Sequence, residues 1–244
     1  METFTGYRQS YNKLPTVFDA DMALHCADRD TAIEILLDVI LQFGLHKSVG
    51  LRLLHRHNNL TENEVMLEDV RVDDQGLALI TVACPATAID STIAVNSWML
   101  VKDDFIPVEY SRSTLLYSPE VCPTSHPEFF DALKKRLLEL KLEKWVGPAL
   151  VESNAVAEHA NGRELLLEQS AIDDRANVLR YVSTQDVDAS RVVETFWVAS
   201  IETATKKSPP TNKPATTKTT KKVCTRICPS VQNPPVHQGT FIHS

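Results

Sequence analysis

EVMLEDVRVDDQGLALITV, residues 64–82, can be laid without a gap on ELLLEQSAIDDRANVLRYV, residues 164–182, and seven of the nineteen positions are identical. The identities are Glu64/Glu164, Leu67/Leu167, Glu68/Glu168, Asp73/Asp173, Asp74/Asp174, Leu79/Leu179 and Val82/Val182. Val65, Met66 and Val72 also meet apolar residues in the second copy. A shared strand register requires this, because a slip of one residue turns every side chain to the other face. In each copy two apolar runs flank acidic turn residues, the pattern of a strand, a tight reversal and a second strand.

The surrounding segments repeat as well. Asp28–Leu45 reads as a helix with Ile33, Leu36, Leu37, Ile40 and Leu41 on one face; Asp28 or Asp30 is placed to cap it and Gly44 to end it in a left-handed turn. Pro127–Leu142 reads as its counterpart, with Phe130, Leu133, Leu137 and Leu140 on one face and Pro127 fixing the first turn. After the first helix, Val49, Leu51, Leu53, His55 and His57 alternate with Arg52 and Arg56, which predicts a strand with one mostly wet face. Trp98 and Trp197 continue the match inside IAVNSWMLV and VVETFWVAS. The expected architecture is α+β: antiparallel sheet with packed helices, built by internal duplication of one helix and about four strands over residues 28–102 and 126–200.

The formal charge of −7 is unevenly placed: from Thr203 onward there are seven Lys and Arg and no acid, which leaves −14 on residues 1–202. An acidic body is a poor match for phosphate backbones, whose binding needs cations that release counterions. KKSPPTNKPATTKTTKK, in residues 203–244, is nearly free of apolar residues and reads as a disordered basic tail, suited to weak polyanion contact. No run approaches the roughly 20 apolar residues of a membrane span, and METFTGYRQSYNKLP has no signal or transit pattern. The expectation is therefore a protein of the cytosol or nucleus with no membrane contact, whose cysteines Cys26, Cys84 and Cys122 are reduced packing residues.

Glycine-rich phosphate loops, GxSxG, HExxH and paired CxxC are all absent from the sequence. Two groups have the character of metal ligands. In LLHRHN, residues 53–58, His55 and His57 share a strand face at roughly 7 Å by the period-two spacing, and a zinc or iron site there needs a third ligand. By residue type His25, His46, Glu68 and Glu168 qualify, and nothing in the sequence brings any of them near. Near the C-terminus Cys224, Cys228, His237 and His243 are spaced C-x3-C-x8-H-x5-H, a zinc donor set whose central gap is shorter than the about 12–15 residues of a zinc finger. The duplication weighs against a paired metal site, because PALVESNAVAEH, in the second copy, has no HxH. Asp73-Asp74 and Asp173-Asp174 lack the alternating spacing of a calcium loop and are explained by turn chemistry.

LLHRHN resembles an LLHRH stretch that follows a helix in uncharacterised proteins of filamentous fungi, over Gly44–Glu68; that group supplies no activity or site residues. The element order would also suit the vicinal-oxygen-chelate fold if Tyr11–Phe18 were a strand, but that family's His and Glu ligands find no match position by position. Two functions are compatible with the sequence. The first is a non-catalytic binding or accessory protein whose acidic body engages a protein or small-molecule ligand. The second is a metal-dependent enzyme using His55 and His57 in a cleft between the repeats.

Overall fold

A computed structural model of the chain describes residues 2–25, 28–74, 76–112, 121–151, 164–171, 173–205 and 216–229. Three helices come first: α1 (Glu2–Tyr11), α2 (Val17–His25) and α3 (Arg29–Gln42). Five strands follow: β1 (Val49–Leu53), β2 (Glu64–Asp73), β3 (Gly76–Pro85), β4 (Ala94–Val101) and β5 (Asp104–Ser111). Then come α4 (Pro127–Leu140) and five more strands: β6 (Val146–Leu150), β7 (Glu164–Ala171), β8 (Ala176–Ser183), β9 (Val192–Thr205) and β10 (Thr216–Pro229).

The strands close into one barrel in the order β1-β6-β4-β5-β2-β3-β8-β7-β10-β9, with β9 returning to β1 through Leu51↔Trp197 and Arg52↔Phe196. This overturns the expected α+β sheet with packed helices. Closure gives each strand of the barrel a neighbour on both sides for at least part of its length. The expected all-antiparallel pairing is also corrected, since β2–β5 and β7–β10 are parallel. Tyr11–Phe18 spans the end of α1 and the start of α2 and is no strand.

The pairing carries a pseudo-two-fold. Replacing every strand of the first half by the one five places later reproduces the barrel order read in reverse. The repeated unit is one helix and five strands rather than about four. Even an irregularity is repeated, because β4–β5 and β9–β10 each skip one residue on both strands, Asn96 and Val108 in the first pair and Thr195 and Thr225 in the second. The gapless alignment of 64–82 with 164–182 needs one correction. Glu68 faces Thr81, whereas Glu168 faces Leu179, so the second hairpin is two residues shorter beyond these positions and the match on its returning strand shifts by two.

Residues 203–244 are not a free tail throughout. β10 pairs with β9 from Thr216↔Thr205 to Pro229↔Val192 and with β7 at Arg226↔Leu166 and Ile227↔Leu167. Its Thr-rich first part has the β-branched side chains that favour a strand and is paired with β9.

Helices α3 and α4 pack on each other and on the barrel. Ile33, Leu36, Leu37 and Ile40 of α3 are fully buried, as are Leu133 and Leu137 of α4, each worth about 1.5–3 kcal/mol of transfer free energy. Gly44, at φ 71°, ends α3, with the Leu45 N–H donating to Ile40 O at 3.0 Å. Asp28 makes no side-chain cap bond, contrary to expectation. On β1, Val49, Leu51 and Leu53 join the apolar cluster of α3 and α4, so Arg52 between them points to the other side of the barrel wall.

Candidate metal centre

Strand β1 ends at Leu53, so His55 and His57 lie just past it and not on the expected strand face. The segment that follows is tied to the chain between α1 and α2. Arg56 N–H donates to Pro15 O at 2.9 Å, and its guanidinium donates to the carbonyls of Asn12 at 2.9 Å and Leu14 at 2.5 Å. Asn12 donates to Leu60 O and accepts from Leu60 N–H, at 2.9 and 2.8 Å. These bonds fix the path of the backbone while both imidazoles turn inward, their ring centroids 4.6 Å apart.

The two rings converge on Glu168 of β7. His55 Nε2 lies 3.4 Å and His57 Nε2 3.2 Å from Glu168 Oε2. One donor atom from each of the three residues falls within 4.8 Å of the others. The side chains are 1%, 2% and 0% exposed, a burial at which unsatisfied polar atoms are costly. Yet both Nε2 atoms and Oε2 lack a hydrogen-bond partner among the described residues. Their contacts are close but not aligned as hydrogen bonds. The three atoms are gathered into one buried cluster.

The remaining polar atoms of these side chains are held in ways that suit ligation. His55 Nδ1 lies 2.9 Å from Leu53 O. A carbonyl only accepts, so in the neutral ring Nδ1 carries the proton and Nε2 keeps its lone pair. Ser170 Oγ faces His57 Nδ1 at 3.1 Å. Thr195, at the repeated register irregularity, donates its hydroxyl to Glu168 Oε1 at 2.9 Å, which leaves Oε2 for the histidines. Burial, then the neighbouring His55, push the His57 pKa below its ordinary value, favouring the neutral ring. Burial works to raise the Glu168 pKa, but the two imidazoles and then the charge of Arg52 outweigh it and hold the carboxyl well below the usual range.

Donors about 2.0–2.2 Å from a tetrahedral zinc lie about 3.3–3.6 Å from one another. The Nε2–Oε2 separations, 3.2 Å from His57 and 3.4 Å from His55, are close to that span. A group of two histidines and one glutamate can therefore hold a metal ion here.

Of the four third-ligand candidates by type, only Glu168 joins the pair. His25 contacts Asp21 on α2, and Glu68 is buried on β2. Glu68 and Glu168 are pseudo-symmetric, but the segment equivalent to LLHRHN in the second half lies outside the described residues. Arg52 reaches Glu109 on β5 as a buried bidentate pair. The proposed tail site is not assembled: Cys224 and Cys228 are four residues apart on β10, roughly 13 Å along a strand, too far to share one ion, and His237 and His243 lie outside the described residues. Asp73 is bound by Arg180 rather than standing open to a cation. No helix among the described residues is long and apolar enough to cross a membrane. No protein-family model, curated protein or solved structure matches the chain.

Proposed function

We propose that the protein is a non-catalytic metal-binding protein in which His55, His57 and Glu168 hold one divalent transition metal, zinc by preference, and so tie the first half of the duplicated body to the second. The supporting observation is the convergence of three buried polar atoms that have no hydrogen-bond partner among the described residues. Two imidazoles and a carboxylate suit zinc or ferrous iron better than calcium or magnesium, which take oxygen ligands. The near-complete burial of all three side chains favours a structural role over turnover.

A metal-dependent enzyme is the second reading, and one feature favours it: three protein donors leave a zinc coordination position open. Metal analysis of the purified full chain tests the first reading. Zinc at one per chain that disappears in Glu168→Ala and in His55→Ala/His57→Ala supports it; a chain that takes up no zinc, cobalt or iron on reconstitution overturns it. The spectrum of the cobalt(II) form separates the two readings. A spectrum unmoved by azide or thiocyanate fits a closed site, and a saturable shift fits an open one.

A further inference from the structure

The pseudo-two-fold leaves one groove filled and its counterpart open. In the first half Val65, Ala86, Ile89 and Tyr110 pack with Tyr7, Tyr11 and Leu14 of the α1 region. The Tyr7 hydroxyl donates to Val108 O at 2.7 Å and accepts from Met66 N–H at 3.2 Å, and its ring centroid lies 6.0 Å from that of Tyr110. Strand register pairs Tyr110 with Leu67 and Ile227 with Leu167, which makes Ile227 the equivalent of Tyr110 and Leu165 the equivalent of Val65. The short helical turns Ala86–Ala88 and Thr184–Asp186 correspond in the same way and carry Ala86 onto Thr184 and Ile89 onto Val187.

Leu165, Thr184, Val187 and Ile227, the four equivalents, all line a cavity of about 520 Å³. No α1 fills it. Its polar side comes from Asp21, Arg29 and Glu194, with Arg29 Nη1 3.2 Å from Asp21 and Nη2 4.0 Å from Glu194. The size suits a small molecule, within the roughly 300–1,000 Å³ of ligand pockets.

We propose that this cavity binds a small phenolic molecule, its ring seated against Ile227 as the Tyr7 ring is seated against Tyr110, and its hydroxyl donating to an acceptor of the polar side. The apolar lining takes the ring; Glu194 Oε2 already accepts from Trp197 Nε1 and Lys222 Nζ, and Asp21 Oδ1 already meets Arg29, so the second carboxylate oxygen of Asp21 is the acceptor offered to the hydroxyl. The site is separate from the metal centre, none of whose three residues lines it.

Calorimetric titration of the full chain with p-cresol, and with 4-methylanisole as the same ring without the donor, tests the proposal. Saturable one-to-one binding of p-cresol is expected, weakened at least about tenfold by methylation of the hydroxyl. Ala189→Trp and Ser190→Trp, at the exposed edge of the cavity, are expected to weaken it by a similar factor while the melting temperature and zinc content stay at parent values. The proposal is overturned if p-cresol shows no saturable binding up to about 10 mM, if both plugging variants bind it as the parent does, or if a peptide of residues 2–14 binds in its place.

Discussion

Removing one member of the Arg52–Glu109 pair is expected to destabilise the protein far more than removing both. Arg52 is 3% and Glu109 1% exposed, and the two are joined by a bidentate contact. In Arg52→Met the carboxylate stays buried without its cation. Charges about 4 Å apart at an effective dielectric of about 20 attract by about 4 kcal/mol, in line with the roughly 3–5 kcal/mol lost when a buried pair is broken. For a chain of this length each kcal/mol moves the melting temperature by about 2–4 °C, so Arg52→Met and Glu109→Leu should each melt about 8–16 °C below the parent. In Arg52→Met/Glu109→Leu neither charge remains to be desolvated, and the double variant should unfold close to the parent. Urea unfolding of the four proteins closes the cycle, provided their m values agree. If the double variant loses the sum of the two single losses, or if each single variant stays within about 1 kcal/mol of the parent, the pair does not hold the barrel as argued.

Gly147→Ala places a Cβ 2.1 Å from the Trp98 carbonyl oxygen, and Gly50→Ala one 2.7 Å from that of Trp197. Backbone must part to admit either methyl, so both should lose about 1–3 kcal/mol or more, Gly147→Ala the more, read from urea midpoints; parent-like midpoints would contradict the strand spacing. A chain ended after Thr205 lacks β10 and should lose its cooperative melt, while one ended after Ser230 should keep it; equal melts would mean that β10 closes nothing. Bidentate contact with Arg175 holds the Glu64 pKa down at about 2, below its unfolded value of about 4.3. Its contribution is therefore complete above about pH 4.3 and lost as the pH falls toward 2. The partly exposed partner limits it to about 1 kcal/mol, so Glu64→Gln should narrow the gap in urea midpoint between pH 6 and pH 3, and an unchanged gap would refute the assignment.

The repeat was readable because strands β2 and β7 keep the same apolar positions around Glu68 and Glu168, and because both helices show their faces by periodicity. Closure was not. No local pattern distinguishes a strand that ends a sheet from one that joins its two ends, and β10 hides its pairing in Lys and Thr. A signal was present in VCTRIC, where Val223, Thr225 and Ile227 alternate with Cys224, Arg226 and Cys228. The candidate metal centre was half legible. His55 and His57 carry their spacing in the sequence, but Glu168 is 111 residues beyond His57 and no periodicity reaches that far. The clue to it was a carboxylate within the apolar run LLLEQ, repeated from VMLED: a charge on the buried side of a strand needs a partner. The missing histidine pair in the second half, which weighed against metal in the sequence, has a structural explanation. The members of the candidate site come from both halves, one copy supplying the histidines and the other the carboxylate.

Anomalous diffraction at the zinc edge, on crystals of the full chain grown with one equivalent of zinc, tests that arrangement most directly. The account predicts one strong peak about 2.0–2.2 Å from His55 Nε2, His57 Nε2 and a Glu168 carboxylate oxygen. Density there without anomalous signal, as from a bridging water, or zinc bound only elsewhere, would contradict it.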